Sequence, residues 1–179
     1  MSLARPSLIK ISMVLFVMLF ITVALFGFTD VFNHLTRSSF SDADRIILYD
    51  KINEYRKQNG LRQLKINHTL EETASRKAND MVLYGYWSHS DLSGRLSWYM
   101  LLDAGYDYRY VGENISLNYF KGGTVLNAWK KSKSHDYTLT NPQYEEMGVG
   151  YKCGVTLLNY EDTCLVVLHV ATREVSNNE

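Results

Sequence analysis

The sequence predicts a three-layer α-β-α sandwich around a small antiparallel sheet, preceded by one N-terminal transmembrane helix. Three observations carry this expectation. Residues 11–28 hold no charge and are of membrane-spanning length. The rest of the chain reads, in order, helix, helix, short helix, strand, helix, strand, strand. The last strand, residues 165–171, is almost continuous Val and Leu, so a sheet built on it needs cover on both faces.

The apolar run covers about 18 residues, roughly 27 Å as a helix, close to the hydrocarbon thickness of a bilayer. Arg5 and Lys10 precede it and every acidic residue follows it, which keeps the N-terminus in the cytoplasm and the remainder outside. A signal anchor and a cleaved signal peptide are both consistent with it; cleavage would release the domain as a secreted protein. The segment exceeds a typical signal-peptide core, and no small-x-small site follows. This gives a cytoplasmic stretch (1–10), a membrane segment (11–28), a linker (29–40), a globular domain (41–175) and a short tail (176–179).

Within the domain, Ser41-x-x-Asp44 is a capping pattern, followed by Leu48, Ile52 and Tyr55 at helical spacing. Asn59-Gly60 stops that helix, since both residues tolerate positive φ. Thr69-x-x-Glu72 reads as the capping box of a second helix with a stripe of Leu70, Ala74, Ala78 and Met81, ending near Gly85. Residues 94–104 predict a short helix with Leu96, Met100 and Leu101 inward. Residues 111–117 read as a strand, and Gly122-Gly123-Thr124 opens a helix carrying Val125, Ala128, Trp129 and Ser132, with His135 at its end. Asn141-Pro142 marks a turn. Residues 147–151 and 165–171 are β-type runs; paired directly through the intervening loop, they must be antiparallel.

Nineteen basic residues balance 19 acidic ones, and no long basic stretch exists, which argues against nucleic-acid binding through a charged face. Cys153 and Cys164 are the only cysteines, and they flank a polar stretch that reads as a hairpin loop. A disulfide there would remove loop entropy worth about 3 kcal/mol. A free thiol or a metal ligand is the alternative, without CxxC spacing to support the latter. The motifs HExxH, GxSxG and GxxxxGK[ST] are absent.

Four segments carry chemistry: Ser88-His89, Gly112-Glu113-Asn114-Ile115, Trp129-x-x-Ser132-x-x-His135 and Glu146-Met147-Gly148-Val149-Gly150. Each residue has a bland reading. His89 suits a hydrogen-bonded loop, Glu113 an edge strand facing water, His135 a helix C-terminus, and Glu146 a solvated carboxylate like its neighbour Glu145. A Glu buried in a strand instead requires a partner. Taken together, two His and two Glu can ligate a divalent metal such as zinc or act as acid-base groups. Their sequence separation does not show whether they converge.

The order and spacing of these segments resemble the CAP superfamily, also called SCP, and its bacterial branch in particular. The resemblance runs from about Asp44 to Ala171. It includes Ile52-Asn53-x-Tyr55-Arg56, Ala74-x-x-x-Ala78-x-Asp80-Met81 and Ala104-Gly105-Tyr106 besides the four segments. It implies an α-β-α sandwich and a cavity lined by two His and two Glu, roles that fall on His89, Glu113, His135 and Glu146, with zinc bound in some members. The last strand departs from the family in lacking Thr-Gln; His169 falls later. The resemblance implies no agreed activity. The leading expectation is a membrane-tethered extracellular domain whose His/Glu pocket holds a divalent metal and binds a lipid, envelope component or peptide. The alternatives are a metal-dependent hydrolase with Glu113 or Glu146 as general base, and a non-catalytic envelope interaction protein.

Overall fold

A computed structural model of the chain describes residues 40–119 and 121–174. The expected membrane segment and the tail lie outside the described residues, as does the linker up to residue 39. No described helix is long and apolar enough to cross a membrane. The elements run α1 (Asp42–Gln58), β1 (Lys65–Ile66), α2 (His68–Tyr84), α3 (Trp98–Asp103), β2 (Tyr108–Leu117), α4 (Gly122–Lys130), α5 (Lys133–Thr140), β3 (Glu146–Leu157) and β4 (Tyr160–Arg173).

The sheet order is β1-β3-β4-β2, with β3–β4 and β4–β2 antiparallel. The short β1 pairs parallel to β3, an edge strand that the sequence reading did not include. Strand β4 explains the layering. Residues 164–168, 170 and 171 are fully buried. Leu165 and Val167 pack with Ala74, Ala78 and Met81 of α2. Val166, Leu168 and Val170 pack with Leu48 and Ile52 of α1 and with Val125 and Trp129 of α4. A two-residue side-chain period thus feeds two cores, and the expected three-layer sandwich follows.

Local chemistry sets the boundaries. Ser41 and Asp44 form the reciprocal capping box of α1. The start of α2 differs from expectation: Asn67, not Thr69, is the N-cap, accepting from the Thr69 and Leu70 amides. Leu96 is 48 % exposed, so of the three residues expected inward in that segment Met100 and Leu101 are buried and Leu96 is not. The cysteine-flanked stretch is mostly strand rather than loop. Strands β3 and β4 run on until Leu157 faces Tyr160, and Cys153 and Cys164 are register partners joined by a disulfide. Phe40 is seated on this bridge: its amide donates to Cys164 Sγ (3.4 Å), and its ring lies 5.0 Å from that of Tyr151.

Helix α2 lies directly on β3. A Cβ at Gly148 would come within 2.2 Å of the Leu70–Glu71 backbone, and one at Gly150 within 2.1 Å of Ser75 N. Only glycine permits that approach.

Candidate functional site

Strand β2 is the outer edge of the sheet, and its alternation sends Glu113 towards α2 and Asn114 towards the other layer. Glu113 is paired across the sheet with His169, which in turn faces Gly148. With no side chain at Gly148, α2 comes close enough for Thr73 to reach His169 (Oγ1 to Nδ1, 2.9 Å). His169 Nε2 lies 3.0 Å from Glu113 Oε2, and His89 Nδ1 lies 2.6 Å from Glu113 Oε1. One buried carboxylate therefore bridges two imidazoles. With Glu113 ionised, His169 donates from Nε2, and its Nδ1 meets the Thr73 hydroxyl, which also lies 3.2 Å from the Leu70 carbonyl. His89 donates from Nδ1, so its Nε2 lies on the side of the ring away from the carboxylate.

Burial alone would raise the Glu113 carboxyl. The hydrogen bonds from His169 and His89 overturn this and hold it at about 2. Lys77 of α2 is also fully buried nearby. Its ammonium donates to Tyr86 Oη (3.1 Å) and to the Ser90 carbonyl (3.4 Å), securing the loop that carries His89. Desolvation pushes Lys77 down, opposed by the charges of Glu113, Asp80 and Asp91.

His135 occupies the first turn of α5, because the helix begun at Gly122 ends at Lys130 and a new one starts at Lys133. The expected placement at a helix C-terminus is therefore reversed: the nearby helix end is the positive one and favours the neutral ring. Burial, then the charge of His89, lowers its pKa. Asn114 Nδ2 donates to the His135 carbonyl (3.0 Å), tying α5 to β2. The edge position of β2 explains how His89, from the α2 side, and His135, from the other layer, come to influence one another.

Glu146 is held elsewhere. It starts β3, two residues along from Gly148, and accepts from Tyr106 Oη (2.5 Å) and Asn67 Nδ2 (3.0 Å). It lines a recess that none of His89, Glu113 or His135 lines. Among the described residues, no three or more His, Cys, Asp or Glu side chains are arranged to hold a metal ion.

Residues 49–166 match the CAP family of cysteine-rich secretory proteins. The chain belongs to this family. It is 30 % identical over 121 residues to an uncharacterized Bacillus subtilis (strain 168) protein, YkwD, covering 65 % of this chain and 47 % of that one. It is 33 % identical over 105 residues to an uncharacterized membrane protein of the same organism, YlbC, covering 58 % and 30 %. The chain thus spans about half, or less, of the length of these relatives. Two solved structures share the fold. An extracellular SCP-domain protein from Bacillus anthracis str. Ames superposes with a TM-score of 0.64 at 20 % identity, covering 74 % of this chain and 41 % of that one. An outer surface protein from Borrelia burgdorferi gives 0.65 at 24 % identity, covering 74 % and 94 %. The bacterial-type assignment made from sequence motifs agrees with these relatives.

In this CAP domain, His169 is the site residue that sequence reasoning left without a role. Its signal was present: one polar residue interrupts an otherwise apolar strand, and a buried imidazole needs partners on both nitrogens. A prediction follows for the carboxylate it meets. The Glu113 carboxyl sits at about 2 when folded against 4.5 as a reference, so its contribution is full above pH 4.5 and is lost as pH falls towards 2. Glu113→Gln is expected to cost a few kcal/mol at pH 7 and much less at pH 3. Urea unfolding of both proteins at the two pH values measures this; a pH-independent difference would refute the ionised bridge.

Proposed function

We propose that this CAP domain is a ligand-binding module on the outer side of a membrane, with a divalent cation such as zinc held by His89 and His135. The observation that carries the proposal is the 2.6 Å contact of Glu113 with His89 Nδ1, since a carboxylate behind one imidazole nitrogen orients the other towards a metal. His135 fits as a second donor, because its environment favours the neutral ring that ligates. Glu113 has both oxygens engaged and serves as orienter. A bound divalent cation would supply a Lewis-acidic contact for an oxygen atom of the ligand. The location is supported by the apolar segment at 11–28 behind Arg5 and Lys10 and by the likeness to a membrane protein.

Zinc titration of the full chain in a non-ionic detergent at pH 7.5 and 5.5 tests this. Affinity is expected to fall at least about tenfold at the lower pH, where imidazole is protonated. It should disappear in a His89→Ala/His135→Ala variant. Equal affinity at both pH values, or unchanged binding in that variant, would end the proposal.

A further inference from the structure

The recess that Glu146 lines has a volume of about 570 Å³, within the range of small-ligand sites. Four cations surround it: Arg62, Lys65, Arg109 and Arg173. Their ion pairing is incomplete. Arg62 stands 3.7 Å from Glu145 and Arg173 stands 4.0 Å from Glu146, both beyond hydrogen-bond reach. Arg109 and Lys65 have no ion pair among the described residues. The Arg173 guanidinium lies over the Tyr106 ring at 4.1 Å, and that of Arg109 lies 5.3 Å from the centre of the Tyr110 ring. A guanidinium held against an aromatic face keeps its in-plane N–H donors available. Glu146 does not draw on Arg173 for its hydrogen bonds, since Tyr106 and Asn67 already supply them.

We infer that this recess is a second binding site, separate from the histidines, for a small ligand bearing an oxyanion. Arg109 and Arg173 form the fork, and Lys65 and Arg62 add charge. A planar N–H fork matches the paired oxygens of carboxylate and phosphate alike. Glu145 and Glu174 also line the recess, so it is not a uniformly positive surface. That mixture favours a compact ligand with one anionic group over a long polyanion, whose other charges the three carboxylates, Glu145, Glu146 and Glu174, would repel.

The test is a calorimetric or NMR titration of the full chain in a non-ionic detergent with inorganic phosphate in one arm and acetate in the other. Saturable binding of at least one is expected. The arm that binds identifies phosphate or carboxylate as the recognised group. Arg109→Gln/Arg173→Gln should weaken binding at least tenfold. Both side chains are exposed at the surface, so the fold should survive, and an unchanged melting temperature checks this. Arg109→Lys/Arg173→Lys keeps the charge without the fork and should bind between the two. His89→Ala/His135→Ala should bind as the wild type, which separates this site from the metal proposal. No saturable binding in either arm, or full binding in the Gln variant, would overturn the inference.

Discussion

Gly150→Ala is expected to lower the unfolding free energy by about 3 kcal/mol, at the upper end of the range for overpacking a tight interface. The added methyl group would meet Ser75 N at 2.1 Å and the Ala74 carbonyl carbon at 2.3 Å. These are backbone atoms of a helix and cannot swing aside as a side-chain end can. Relief requires α2 to lift from β3, which would also draw Thr73 away from His169. Gly123→Ala is the matched control. Its new methyl group would have only Lys51 carbons at 3.5 Å and beyond. In a helical first turn, alanine then gains up to about 1 kcal/mol. Chemical denaturation of both variants decides the matter. A loss below about 1 kcal/mol in Gly150→Ala would show that the helix does not depend on this contact.

Arg56→Met should cost on the order of 4 kcal/mol. Arg56 is fully buried and meets carbonyls rather than a carboxylate. Its Nε donates to Arg62 O at 2.9 Å, and its Nη1 donates to Leu139 O at 2.8 Å and Asn141 O at 3.0 Å. Burial pushes the guanidinium down from its usual range, yet it remains charged at neutral pH. Methionine fills much of the volume but leaves these acceptors unsatisfied, at about 1–3 kcal/mol each before relaxation. The loss also reaches the candidate site. Leu139 and Asn141 close the helix whose first turn holds His135, so the His135 NMR signals should broaden or shift even where the variant stays folded. An unperturbed His135 with a small stability loss would refute this coupling.

The sandwich was legible because β4 is a nearly continuous apolar run that needs cover on both faces, and because capping pairs and positive-φ glycines punctuate the helices. Boundaries were less so. Asn67 outcompeted Thr69 as a cap because its side chain reaches two amides at once. The break between Lys130 and Lys133 has no Gly or Pro to announce it, and so His135 was placed at the wrong end of a helix. The pairing of His89 with Glu113 depended on three-dimensional approach, as did the separation of Glu146 from them. Composition and spacing do not encode such distances. His169 announced itself only as an exception in an apolar strand, which takes a structure to interpret.

The seat of Phe40 on the disulfide bears on mechanics. Any tension from the N-terminal side enters the domain at Phe40 and passes to β3 and β4, its two longest strands. The Cys153–Cys164 bridge joins them covalently, so such a load cannot unzip the hairpin from that point towards its turn. Among the described residues, strand β2, with Glu113, joins the sheet only through β4. Force would therefore be borne by the covalently braced part of the sheet before it deforms the histidines.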